Sequence, residues 1–228
     1  MLADMKMITP HSLVTPATPR REFLRQLSLG AAFFTVRGAF AEELSRKTAS
    51  SEEGPFYPPK LPLDTDNDLI IVNNSITPAV GQIAHVSGRL FDTSGSPIRN
   101  ATIEIWEVDN TGVYLADRSQ QAKYDANFQG FGRFLTGSTG EYYFRALKPV
   151  RYPGRRAPHI HFKVRRQGQE PWNSQLFVKG EPGNEEDGIY RGIGDAQARA
   201  TVTVDFVPLP NSRIGEVAAK FDIVLAVG

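Results

Sequence analysis

The chain has 228 residues, 22% of them charged, a formal net charge of +1 and no cysteine. The near-neutral balance excludes a strongly basic nucleic-acid surface, and the missing cysteines exclude disulfide scaffolds, thiolate metal sites and cysteine nucleophiles. An apolar fraction of 40% with 20 Gly and 16 Pro suits a globular, turn-rich chain, so β structure is expected and any metal must be held by His, Asp, Glu or Tyr.

The first feature is the pair Arg20-Arg21, followed by an apolar stretch from Leu27 to Val36 and the small-x-small pattern Ala39-Phe40-Ala41. That stretch is too short for a stable membrane anchor. The order of features resembles a twin-arginine export signal over residues 1–41, which makes a periplasmic or secreted location the expectation. Its removal shifts the net charge to −2 and leaves His85, His159 and His161 as the histidines of the mature chain. Residues 42–80, with Gly54-Pro55-Phe56-Tyr57-Pro58-Pro59 and a run of Asp and Asn, read as an extended N-terminal arm with few regular elements.

From residue 81 to 228 the pattern changes to short alternating segments. Gln82 to Phe91 reads as a strand, Asp92 to Pro97 as a turn, and Ala101 to Val108 as the clearest strand. Its alternation puts Ile103 and Ile105 on one face and Thr102, Glu104 and Trp106 on the other, so a large aromatic lies on the polar face. Gly140–Ala146, His159–Val164, Gln175–Val178, Thr201–Phe206 and Phe221–Leu225 are further strand candidates. Helical periodicity is confined to Asn184–Tyr190 and Asp195–Ala200. Strands at intervals of roughly 8–15 residues without long helices predict an all-β fold, an antiparallel β-sandwich core with a long irregular arm and loops.

Chemistry gathers between Tyr114 and Gln175. His159 and His161 stand at i and i+2 of a strand, so both imidazoles face one way and can reach one metal ion. They follow a turn-rich loop, Tyr152 to Pro158. Without cysteine or a nearby carboxylate, tyrosinate is the remaining anionic donor, and a highly charged cation favours its ionised form. Tyr152 lies near the histidines in sequence. A second tyrosine must be Tyr57, Tyr114, Tyr124, Tyr142, Tyr143 or Tyr190, and the residue types do not choose among them.

Leu90-Phe91-Asp92, Trp106-Glu107, Tyr114, Asp125 to Gly130, Thr139 to Phe144, Tyr152-Pro153 and Pro158-His159-Ile160-His161-Phe162, in this order, resemble the intradiol ring-cleavage dioxygenases, the protocatechuate 3,4-dioxygenase subunits above all. The resemblance covers Gly54 to Gly228. It implies a catalytic β-sandwich domain over 81–228 and a non-haem Fe(III) ion ligated by Tyr114, Tyr152, His159 and His161. It implies a catechol-type substrate and O2, ring opening between the two oxygenated carbons, and a muconate-type diacid as product. Tyr152 takes the axial ligand's part, leaving the ion and accepting a substrate proton; Arg156 and Gln175 match catalytic positions; Trp106, Tyr57 and Gly154 match the substrate wall. One departure is plain: the stretch from Tyr152 to His159 is short, and Gly154 stands where the protocatechuate enzymes carry tryptophan, which puts substrate choice in doubt. Relatives assemble from paired subunits, which leaves a homo-oligomer open. The alternatives are a non-catalytic transthyretin-like module, suggested by Val86 to Ile98, and a mononuclear metallohydrolase, for which no third ligand is evident. His85 reads as a core or surface residue.

Overall fold

The computed structural model describes residues 46–226 apart from Asn74, Pro153 and Arg155; the expected export signal over 1–41 lies outside the described residues. Among these residues, ten strands form two five-stranded sheets. In the first sheet, β1 (Ile83–Asp92) pairs antiparallel with β4 (Glu141–Leu147) along one edge, and parallel with β9 (Val217–Lys220) and β10 (Ile223–Leu225) along the other. Strand β8 (Phe206–Pro208) extends it beyond β9. The second sheet runs β3 (Phe131–Leu135), β2 (Thr102–Trp106), β5 (His159–Arg165), β6 (Trp172–Val178), β7 (Thr203–Val204). The expected all-β sandwich is therefore present, but not wholly antiparallel: β1–β9, β1–β10 and β6–β7 are parallel. The C-terminal strands reach β1 only after the whole second sheet has been laid down, so they are not bound to the hairpin geometry that enforces antiparallel pairing.

One face of each sheet makes the main core. Ala84, Val86 and Leu90 of β1 and Tyr142, Phe144 and Ala146 of β4 meet Ile103 and Ile105 of β2, Ile160, Phe162 and Val164 of β5 and Leu176 of β6. Every second residue of these strands points inward, as the pleat requires. At Gly88 the sheet admits no side chain, because a Cβ would collide with the Phe221 carbonyl. That carbonyl accepts the hydroxyl proton of buried Tyr142.

The described residues of 46–80 carry no helix and no ladder strand, but they are not a loose tail. Leu69 and Ile70 are fully buried in the core, and the Leu69 amide donates to the Arg145 carbonyl. Strands β3 and β9 were not expected. Phe-Gly-Arg-Phe-Leu is short and interrupted by glycine, and Val-Ala-Ala-Lys favours helix on propensity; both form because a neighbouring strand supplies the pairing. The single strand expected over Thr201–Phe206 is two, because the chain leaves β7 of one sheet and enters β8 of the other at Asp205. Among the described residues the helical segments are α1 (Gly188–Gly192), α2 (Ala196–Ala200) and two 3-10 turns, at Gln121–Lys123 and Pro182–Glu186.

Candidate functional site

On the second sheet the residues that do not enter the sandwich would ordinarily face water. Here they are covered by the arm, the segment after β2 and the loop before β5, and six of the seven residues of β5 are buried. The ladder register sets Phe131, Trp106, His161 and Gln175 side by side across four strands. The Trp106 indole stacks on the His161 ring at 4.7 Å and 11°. Gly54 closes over the other side: its φ is +76°, and a Cβ there would touch His161 Cε1 at 3.4 Å.

His159 and His161 are each 2% exposed and lie two residues apart on β5. Tyr114 reaches them from the turn after β2. That turn is built by Asp109, whose carboxylate accepts the backbone N–H groups of Thr111 and Val113. The Tyr114 hydroxyl oxygen is 3.2 Å from His159 Nε2 and 3.0 Å from His161 Nε2, and the two Nε2 atoms are 3.1 Å apart. His159 Nδ1 lies 2.7 Å from the Ala157 carbonyl and donates to it, so its Nε2 carries a lone pair. Burial, followed by the nearby Arg156 charge, lowers the His159 pKa to about 4. Burial, His159 and Arg156 lower that of His161 as well. Both rings are therefore neutral near pH 7. Burial, reinforced by Tyr152, raises the Tyr114 phenol well above its ordinary value.

Three polar atoms converge here in a buried space, the His159 Nε2 lone pair among them, and His161 Nδ1 has no hydrogen-bond partner among the described residues. Among the described residues no group of three or more His, Cys, Asp or Glu could hold a metal, so any ion here depends on phenol oxygens.

The fourth donor expected from the sequence is beside the first three. Tyr152 meets Tyr114 edge to face at 5.3 Å and packs on the His159 ring at 5.6 Å. Tyr152 is only half-buried, whereas Tyr114 is 3% exposed. Arg156 lies at the centre of a polar net. Its Nη1 donates to the Tyr152 hydroxyl at 3.3 Å, its Nη2 to Gln175 Oε1 at 2.5 Å and its Nε to Asp187 Oδ2 at 2.7 Å. Gln175 is fully buried, and its Nε2 has no hydrogen-bond partner among the described residues. Gly154 is exposed, with φ +97° and open space around the position of a Cβ.

Tyr57 is placed differently. Its ring packs edge-on against Trp106 at 5.1 Å, on the strand next to His161, and its hydroxyl donates to Glu104 Oε2 at 2.9 Å. Glu104 is fully buried and also accepts from Arg133 and Arg165. Lys163 lies over the Tyr57 ring at 4.0 Å and pairs with Glu53. Trp106, 1% exposed, supports His161 from the side. Phe56, not Tyr57, stacks on Tyr114, at 4.5 Å and 14°. His85 lies on the first sheet, between Tyr143 and Glu216, away from this assembly.

Asp187 was not singled out from the sequence. An Asp before Gly-Ile-Tyr signals a helix N-cap, and that part is legible. That the same carboxylate would meet Arg156, 31 residues earlier, is not.

Residues 52–226 match the family model described as Dioxygenase. The chain is 30% identical to a hydroxyquinol 1,2-dioxygenase of Corynebacterium glutamicum, over 92% of this chain and 73% of that one. It is 32% identical to the protocatechuate 3,4-dioxygenase beta chain of Burkholderia cepacia, over 72% of each. Its fold superposes with a TM-score of 0.61 at 26% identity on the dioxygenase domain of a dioxygenase carbohydrate-binding protein fusion from Streptomyces sp. SirexAA-E, covering 80% of this chain and all of that domain.

Proposed function

The chain belongs to this dioxygenase family as an intradiol ring-cleavage enzyme, and from that premise we propose that it holds a non-haem Fe(III) ion through Tyr114, Tyr152, His159 and His161 and opens a catechol-type ring with O2. The observation that carries the reading is the triangle of Tyr114 Oη, His159 Nε2 and His161 Nε2, with sides of 3.0 to 3.2 Å. That spacing suits ligands of one ion with bonds of about 2 Å. The donor set fits a hard trivalent cation: two neutral imidazoles and two phenols that would ionise beside it. A cation at this point would take the lone pairs that converge here and stabilise the phenolates that burial disfavours. A transthyretin-like binding module has no need of such a convergence.

Bound Fe(III) would supply a Lewis acid that takes both catechol oxygens and withdraws electron density from the ring. The chain's own residues do the rest. Tyr152, half-buried where Tyr114 is enclosed, is the tyrosine with room to move aside, and once ionised its phenolate oxygen would accept a substrate proton and become a phenol. Arg156, held between Tyr152 and Gln175, places a guanidinium where negative charge develops on the ring. Gln175 accepts from Arg156 through Oε1 and keeps Nε2 available to donate to a substrate oxygen. Trp106 holds the His161 ring in orientation, and the Ala157 carbonyl fixes the orientation and tautomer of His159. One O2 and one catechol give one muconate-type diacid, with both oxygen atoms retained.

We further propose that residues 1–41 direct export by the twin-arginine route, so that the enzyme acts outside the cytoplasm; replacing Arg20 and Arg21 by lysine should retain the protein in the cytoplasm. The decisive experiment on function loads the purified chain with iron. A broad visible band from phenolate-to-iron charge transfer is expected, shifting when catechol is added, with uptake of one O2 per catechol. A colourless iron-bound protein that is inert to catechol would overturn the assignment.

A further inference from the structure

We propose that Asp187 is the positioning residue for the active-site guanidinium, locking Arg156 to the loop that carries α1. The inference rests on the reading of Arg156 given above. Asp187 is fully buried and divides its two oxygens between two tasks. Oδ1 accepts the backbone N–H groups of Ile189 at 2.8 Å and Tyr190 at 3.1 Å, capping the short helix. Oδ2 accepts Arg156 Nε at 2.7 Å and the Ala157 N–H at 2.8 Å. Burial alone would raise this carboxylate's pKa, but Arg156 and the backbone N–H groups outweigh it and hold the group ionised.

The consequence is geometric. A guanidinium is a rigid planar fork. With Nε fixed by Asp187, rotation about the end of the side chain is closed off, and the two terminal nitrogens must point at Tyr152 and Gln175. The carboxylate also grips the Ala157 N–H, and the carbonyl of the same residue accepts from His159 Nδ1. One buried carboxylate thus sets the arginine and the short stretch before β5 together. The loop is tied back from its other side: Tyr190 packs on Phe177 at 5.0 Å, and Phe177 on His159 at 5.7 Å.

The test separates capping from positioning. Asp187→Asn keeps an oxygen for the helix cap but turns an amide toward Arg156 Nε and the Ala157 N–H, two groups that can only donate. Asp187→Ser keeps a good N-cap and is too short to reach Arg156. The expected result for both in the iron-loaded enzyme is a kcat about tenfold to a hundredfold lower with KM within about threefold, the size of effect a displaced catalytic group produces. In an Arg156→Lys background the same changes should lower kcat several-fold less than in wild type, since the guanidinium they position is gone and only the grip on the Ala157 N–H remains to be lost. A readout independent of turnover is the Nε–H cross-peak of Arg156 in 15N-labelled protein, protected in wild type and lost in both variants. Equal losses of kcat in the two backgrounds, a protected Arg156 signal in the variants, or wild-type kcat in Asp187→Ser would each overturn the proposal. Wild-type protein that turns over no catechol would overturn the functional reading as well, and so is distinguishable.

Discussion

Two buried polar clusters lie on the same face of the second sheet, one on each side of Trp106, and they are built on opposite principles. Around Glu104, one carboxylate is met by the Tyr57 hydroxyl and two guanidiniums, so charge and hydrogen bonds are satisfied within the cluster. Around His161, two neutral imidazoles and two phenols crowd together without a carboxylate among them, and His161 Nδ1 and Gln175 Nε2 have no partner among the described residues. Buried polar groups are normally paired because burial without a partner is expensive. A cluster that is complete in itself stabilises; one that lacks a component is held ready for something else. Tyr57 and Tyr114 are both tyrosines near Trp106, and this difference of company separates their roles.

The comparison can be broken by substitution. The largest effect is expected for His161→Ala: loss of the visible band and of turnover by more than about a thousandfold, with thermal stability unchanged or raised in metal-free protein, because a buried, incompletely paired group has been removed. Calorimetry of apo protein beside an iron assay checks both halves. Tyr152→Phe should retain part of the iron and lower kcat about a hundredfold to a thousandfold, since the proton acceptor is lost while three donors remain. Unchanged turnover in that variant would contradict the proton-accepting role.

On the other side of Trp106 the signs reverse. Glu104→Gln should leave the iron spectrum intact but destabilise the fold by about 1–3 kcal/mol, discounted because Arg133 and Arg165 retain access to water. Burial raises the Glu104 pKa, but the bonds from Arg133, Arg165 and Tyr57 outweigh it, and the net shift is downward. A depressed carboxylate pKa contributes stability above the unfolded value of about 4.3, and that contribution is lost as pH falls through the folded value. Denaturant midpoints of wild type and Glu104→Gln should therefore differ at pH 7 and converge on acidification below pH 4. The smallest effect is expected for Tyr57→Phe: about 1 kcal/mol of stability from one hydrogen bond, and a kcat/KM for catechol within twofold of wild type. A large change in KM would return Tyr57 to the substrate wall.

Much of this site was legible before any coordinates. The i, i+2 spacing of His159 and His161 on an alternating segment placed both rings on one face. The alternation of Thr102 to Trp106 separated Ile103 and Ile105 from Glu104 and Trp106, and the two sets do enter different clusters. Strands β3 and β9 were not legible, because five and four residues of weak or contrary propensity pair only when a partner is already in place. Nor was the burial of Leu69 and Ile70 within an arm that reads as irregular.

The sequence by itself determined the periodicities, and with them the all-β class, the face on which each imidazole lies and the absence of any thiolate metal donor. Those follow from the local geometry of a strand and from residue chemistry, which need no long-range information. The tertiary structure alone decided that the outer face of the second sheet is covered, that the Tyr114 hydroxyl lies within 3.2 Å of both histidines, and that Asp187 anchors Arg156 while the Tyr57 hydroxyl is bonded to Glu104. These are contacts between segments 31 to 47 residues apart. They are fixed by ladder register and by packing across the sheet, and neither is written in any short stretch of chain.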